Sequence, residues 1–75
     1  MSMTLRDCPV GMATRVVGVE LDAGRVLRLR ELGILPGAVI RVTHHTAFGG
    51  RVVAVGATRF AVDAGTARSL TVELL

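Results

Sequence analysis

The chain has no lysine, tyrosine or tryptophan, a single cysteine and two aromatic residues, Phe48 and Phe60. Each absence excludes something. One cysteine, Cys8, rules out an internal disulfide, and with no second cysteine or nearby histidine it reads as an ordinary, partly buried thiol. Without lysine, nucleophilic catalysis falls to Ser2, Ser69 or Cys8, none of which has an evident base or orienting partner. Gly49-Gly50 lacks the Lys and Ser/Thr that complete a phosphate loop, so it reads as a hairpin turn. Two phenylalanines give only a weak signal for the exposed stacking platform of a nucleic-acid-binding barrel. No apolar run approaches the roughly 20 residues of a membrane-spanning helix, because Arg41, Arg51 and Arg59 interrupt the hydrophobic stretches. The opening MSMTLRDCPVG has no long apolar segment of the signal-peptide kind. The expectation is a non-enzymatic, cytoplasmic protein with no cofactor and no direct membrane insertion.

What the chain does have is aliphatic residues. Apolar types make up 51% of its 75 residues, and mean hydropathy is positive. Disordered chains lack that apolar area, so a folded single domain over residues 1–75 is expected, with a core of Val, Leu, Ile and Ala. A domain this small buries only about 60% of the surface that its unfolded chain exposes. The net charge of +3 comes from nine arginines against six acids. The arginines are dispersed, with one local cluster at Arg25, Arg28 and Arg30, and no basic block.

The clearest local signal is the stretch 22–37. Asp22 is a good N-cap. Val26, Leu29 and Leu32 recur on one helical face, with Arg25, Arg28 and Glu31 on or toward the other. Gly33 suits the left-handed C′ position, and Ile34 as C″ should pack on Leu29 in a Schellman arrangement. Leu35-Pro36-Gly37-Ala38 then fits a type II turn, with Pro and Gly at its central positions. The spacing therefore predicts one helix over about 22–32 and a sharp return into a strand.

The rest reads as short strands at 13–20, 39–46, 51–55, 59–62 and 69–74. Gly18 marks a β-bulge, since Val16 and Val19 would otherwise face opposite ways. Ile40 and Val42 share one face, with Arg41, Thr43 and His45 on the other. Phe60 and Val62 point inward. Residues 1–4 read as frayed, with Thr4-Leu5 opening an edge strand or a short turn, and 63–67 as a turn or one turn of 3₁₀ helix. About five strands with one inserted helix give a mostly β fold, a small barrel whose closure would hide the strand edges.

His44 and His45 are the most inviting pair for a metal. Adjacent strand residues point to opposite faces, and no third ligand is spaced to join them, so they read as ordinary edge histidines and no metal site is assigned. Apolar groups outside the expected core, Phe48 and Leu35 above all, suggest an interaction patch.

The run Leu32-Gly33-Ile34-Leu35-Pro36-Gly37, ending a helix and launching a strand, resembles the FeoA family. Leu5 and Gly11, Val16 and Val19, Ile40 and Val42, Phe48-Gly49, Phe60-Ala61-Val62, and Ala67 with Leu70-Thr71-Val72 extend that resemblance over nearly the whole chain. Two departures are the loop Ala47-Phe48-Gly49-Gly50-Arg51, where flanking proline and an acidic residue after the glycine are common, and Asp63 after the fourth strand, where a basic one is.

The resemblance implies an SH3-like barrel and a cytoplasmic accessory protein of ferrous iron uptake. Its implied partner is the cytoplasmic G-protein domain or transporter core of FeoB, whose assembly or GTPase cycle it would modulate. A homo-oligomer stays open, and no nucleic-acid partner is expected. On this reading Arg25, Arg28, Leu35, Phe48 and Arg51 form the partner-binding set, while Leu32, Gly33, Pro36 and Gly37 serve the fold. The alternatives are a small nucleic-acid-binding barrel, or an Fe(II)-binding carrier or sensor related to the SH3-like domain of DtxR-type repressors.

Overall fold

The computed structural model describes residues 2–75. Six strands form one antiparallel sheet: β1 (Ser2–Thr4), β2 (Ala13–Val19), β3 (Val39–His45), β4 (Arg51–Val55), β5 (Thr58–Val62) and β6 (Leu70–Leu74). The spatial order is β1-β6-β2-β3-β4-β5, so the sheet curls but is not closed by hydrogen bonds. Full closure is therefore corrected to an open sheet with edges at β1 and β5. The residues expected to fray form β1 instead. They pair with β6, Ser2 opposite Glu73 and Thr4 opposite Thr71. Met1 lies outside the described residues.

Helix α1 (Ala23–Glu31) is set by its ends. The Asp22 carboxylate accepts from the Arg25 N–H at 3.0 Å. At the other end Gly33 adopts φ +93°. The Gly33 N–H then donates to the Arg30 carbonyl and the Ile34 N–H to the Leu29 carbonyl, at 3.0 and 2.8 Å. This is the Schellman pair of bonds, and Leu29 and Ile34 are both buried. Leu32, expected on the inner face, is 42% exposed, because it is the C-cap where the chain leaves the helical path.

The following turn closes through Ala38 N–H to Leu35 carbonyl at 2.9 Å, and Gly37 N–H donates to the Val16 carbonyl at 2.8 Å. Gly37 has φ +95°, the left-handed value that a type II turn requires at this position. The helix stop is thereby laced to the middle of β2.

Two bulges shape the sheet. In β2 the register with β6 slips between Val16 and Gly18, leaving Val17 as the extra, exposed residue. Val16 and Val19 then lie opposite Val72 and Leu70 on one face, as Gly18 predicts. In β3 the slip falls between Val42 and His44. The extra residue, Thr43, reverses the alternation. His44 is placed opposite Val52, and His45 opposite Arg51, in line with the inward positions. This corrects the expectation that His45 shares a face with Arg41. A short helix α2 (Ala64–Arg68) replaces the expected turn, capped by Asp63 accepting from the Thr66 N–H at 2.7 Å.

The core lies on the concave face. Ile40, Val42, Val53, Leu70 and Val72 are at most 1% exposed. Leu29 and Ile34 cover it from the helix, and Ala67 from α2.

Candidate interaction surface

The β3–β4 connection is a 3₁₀ turn at Ala47–Gly49. Phe48 at its tip has φ +60°, and Gly49 follows at φ +82°. Left-handed backbone disfavours any residue with a Cβ, and for a bulky one it is an outlier. Two such residues in succession turn the loop outward, and the Phe48 side chain is 100% exposed.

Arg51 holds this loop from beneath. Its Nη1 donates to the carbonyls of Gly49 and Gly50 at 3.1 and 2.8 Å. Its Nη2 donates to the Arg6 carbonyl at 2.7 Å. Arg51 is only 9% exposed, and its buried Nε has no hydrogen-bond partner. The two ion pairs among the described residues, Arg15–Glu73 and Arg25–Asp22, both at 3.6 Å, do not involve it. Carbonyl dipoles therefore stand where a buried cation would ordinarily meet a carboxylate. Arg51, expected on the partner-facing surface, lies inside and positions Phe48.

Gly50 completes the arrangement. A Cβ there would fall on Thr46 Oγ1 and within 3.1 Å of the Val62 carbonyl oxygen. Beside the loop lies an open groove of about 320 Å³, lined by Phe48, Ala47, Ala61, Val62, Asp63 and Ala64.

A second groove, of about 220 Å³, runs between α1 and the start of α2, lined by Leu21, Arg25, Arg28, Leu29, Asp63 and Thr66. The structure thus brings Arg25 and Arg28 to one groove and separately places Arg51 beneath the loop that carries Phe48. Leu35 is 37% exposed at the type II turn and lines neither groove. Asp63 lines both. The Thr66 N–H bond holds its carboxyl below the ordinary aspartate range, with smaller contributions from Arg25 and Arg68. The signal for its role was present in the sequence: Asp63 and Thr66 have the N-cap and N3 spacing.

The histidines do not gather ligands. His44 Nδ1 lies 3.0 Å from Thr43 Oγ1, and no three His, Cys, Asp or Glu side chains converge among the described residues. Cys8 is 1% exposed, and burial pushes its thiol up. Among the described residues, no helix is long and apolar enough to cross a membrane.

A small SH3-like sheet domain with an apolar, arginine-supported surface loop is the class this geometry defines. Residues 3–74 match the FeoA domain. The chain belongs to the FeoA family. It superposes on an iron uptake regulatory protein, FeoA, with TM-score 0.87 at 29% identity, covering 100% of this chain and 99% of that one. Stenotrophomonas maltophilia FeoA, a prokaryotic SH3 domain protein solved with zinc, gives TM-score 0.77 at 36% identity, covering 95% and 89%. A manganese-dependent transcriptional repressor shares the fold at TM-score 0.83 and 22% identity, over 99% of this chain but 37% of its own. Comparison with curated proteins gives no match.

Proposed function

We propose that this chain is an accessory protein that docks on the cytoplasmic part of the FeoB ferrous iron transporter and modulates its assembly or GTPase cycle. The observation that carries the reading is Phe48, fully exposed on a left-handed backbone and held by the buried Arg51. Residues kept in costly conformations cluster at functional sites when the surrounding structure holds them there. An exposed phenylalanine beside a groove is also the kind of aromatic group that anchors an interface. Fully burying it would contribute on the order of 2–3 kcal/mol. Arg25 and Arg28, lining the neighbouring groove, suit acidic groups at the rim of the same contact, where they act more on encounter than on affinity.

Isothermal titration of this chain against the cytoplasmic region of FeoB, with and without guanine nucleotide, tests the proposal. Saturable binding that weakens in Phe48→Ala is expected. No heat at tens of micromolar in either nucleotide state overturns it.

A further inference from the structure

The free edge of β5 offers a different kind of contact. Val55 pairs with Thr58 across the two-residue loop Gly56-Ala57, and Gly56 has φ +58°, as a type II′ hairpin requires at its first central position. In such a hairpin the closing pair is hydrogen-bonded, and bonded and non-bonded pairs then alternate. Val53–Phe60 and Arg51–Val62 are thus bonded pairs, while Ala54–Arg59 and Val52–Ala61 are not. The backbone N–H and C=O groups of Arg59 and Ala61 consequently point away from β4. β5 has no second neighbour in the sheet, and neither residue makes a backbone bond to a loop or turn among the described residues. Both are exposed.

The side chains along this edge state what would fit. Arg59 lies across β4 in register with Arg41: Ala54 is opposite both of them. Arg41 and Arg59 therefore share the outer face two strands apart, about 10 Å. Neither belongs to an ion pair among the described residues. On the inner face Phe60 is only half-buried at the rim of the core. A second copy of β5 would bring another Arg59 to the same edge, and a charge on an edge strand is a common device against self-pairing.

We infer that β5 accepts an extended segment of a partner protein as a seventh strand. Its acidic side chains would lie beside Arg59, with Arg41 adding positive charge further back on the same outer face, and its alternating apolar side chains would cover Phe60. Main-chain bonds supply affinity in this mode of recognition and the alternating side chains supply selectivity. Of β5, only Ala61 and Val62 also line the Phe48 groove, and the inference does not depend on which protein supplies the segment.

Amide exchange of the ¹⁵N-labelled chain, followed by NMR with an end-blocked hexapeptide of alternating valine and glutamate at millimolar concentration, tests this. The Arg59 and Ala61 amides should slow by about tenfold or more, with Phe60 and Val62, already bonded to β4, unchanged. An alternating valine–lysine peptide should give no slowing. Arg59→Glu should reverse the preference between the two peptides. Ala61→Pro removes an N–H that faces away from β4, a position where an edge strand tolerates proline, and should abolish protection. Protection confined to β1, protection by both peptides alike, or none, overturns the inference. So does protection that rises with the protein's own concentration in the absence of peptide, which would make the occupant a second copy. FeoB binding without protection at Arg59 and Ala61 would remove the added strand and leave the docking proposal standing.

Discussion

Arg51 and Arg6, 45 positions apart in the chain, meet through a 2.7 Å bond from the Arg51 guanidinium to the Arg6 carbonyl. The same guanidinium holds Gly49 and Gly50, so one side chain ties the amino-terminal 3₁₀ turn at Leu5–Asp7 to the loop that carries Phe48. Arg51→Lys keeps the charge but replaces a planar fork with a single ammonium. It is expected to cost about 1–3 kcal/mol in urea unfolding, the range for leaving buried polar groups unpaired. Faster amide exchange at 47–49 should accompany the loss.

Gly50 and Gly18 respond differently to a methyl group. Gly50→Ala forces the new Cβ against Thr46 and the Val62 carbonyl. Overpacking of this kind costs about 1–3 kcal/mol. Gly18 has open space around its Cβ position and no positive φ. Gly18→Ala is expected to be neutral or to stabilise by up to about 1 kcal/mol, as thermal unfolding of the two variants would show.

Phe48 separates stability from binding. Its side chain buries nothing within the chain, and its left-handed backbone is strained by roughly 1–2 kcal/mol. Asparagine tolerates that conformation. Phe48→Asn is therefore expected to match or exceed the parent in denaturant midpoint, while losing affinity for the FeoB cytoplasmic region by more than about tenfold. A variant that loses both would place Phe48 in the fold rather than in the contact, and one that keeps both would remove Phe48 from the contact.

Asp63 gives α2 an acid sensitivity. Its folded pKa lies below the ordinary aspartate value, which is about 3.9 in an unfolded chain. The stabilisation is present in full above that unfolded value and is lost as pH falls through the lower folded one. Asp63→Asn keeps a capping oxygen without the charge, so its unfolding midpoint should vary less with pH than the parent's across that acid window.

Cys8, buried and raised in pKa, should resist thiol reagents in the native state. Labelling is expected to proceed only through opening of the structure, and adding denaturant below the unfolding midpoint should accelerate it. Labelling at the rate of a free thiol would contradict the burial.

Local signals in the sequence were the ones that could be read from it. The Asp22 cap, the Gly33 stop, the turn through Pro36-Gly37 and the bulge at Gly18 each depend on residues a few positions apart, and all are present in the fold. Thr4-Leu5 reads as an edge strand or a short turn and both meet there, but Ser2 and Met3 give no local signal, because three residues form a strand only when β6, at the far end of the chain, arrives beside them. The bulge at Thr43 has no glycine to announce it, so the facing of His45 was inverted. Phe48 could be singled out as apolar and out of place, but its backbone strain could not. Arg51 carries no local sign of burial, since arginine is usually a surface residue. Its burial depends on the carbonyls of Gly49, Gly50 and Arg6, which only the folded chain collects. Asp63 drew notice as a departure from the family, yet its place between two grooves requires α1 and α2 to be side by side.

The pairing of Ser2 with Glu73 bears on how this unit can be reused. Its two chain ends run antiparallel on neighbouring strands, so the polypeptide enters and leaves at one place on the surface. Such a unit can be spliced into a longer polypeptide, or rejoined end to end and cut elsewhere, without rethreading its sheet. The exposed Gly56-Ala57 hairpin is the natural place for new termini.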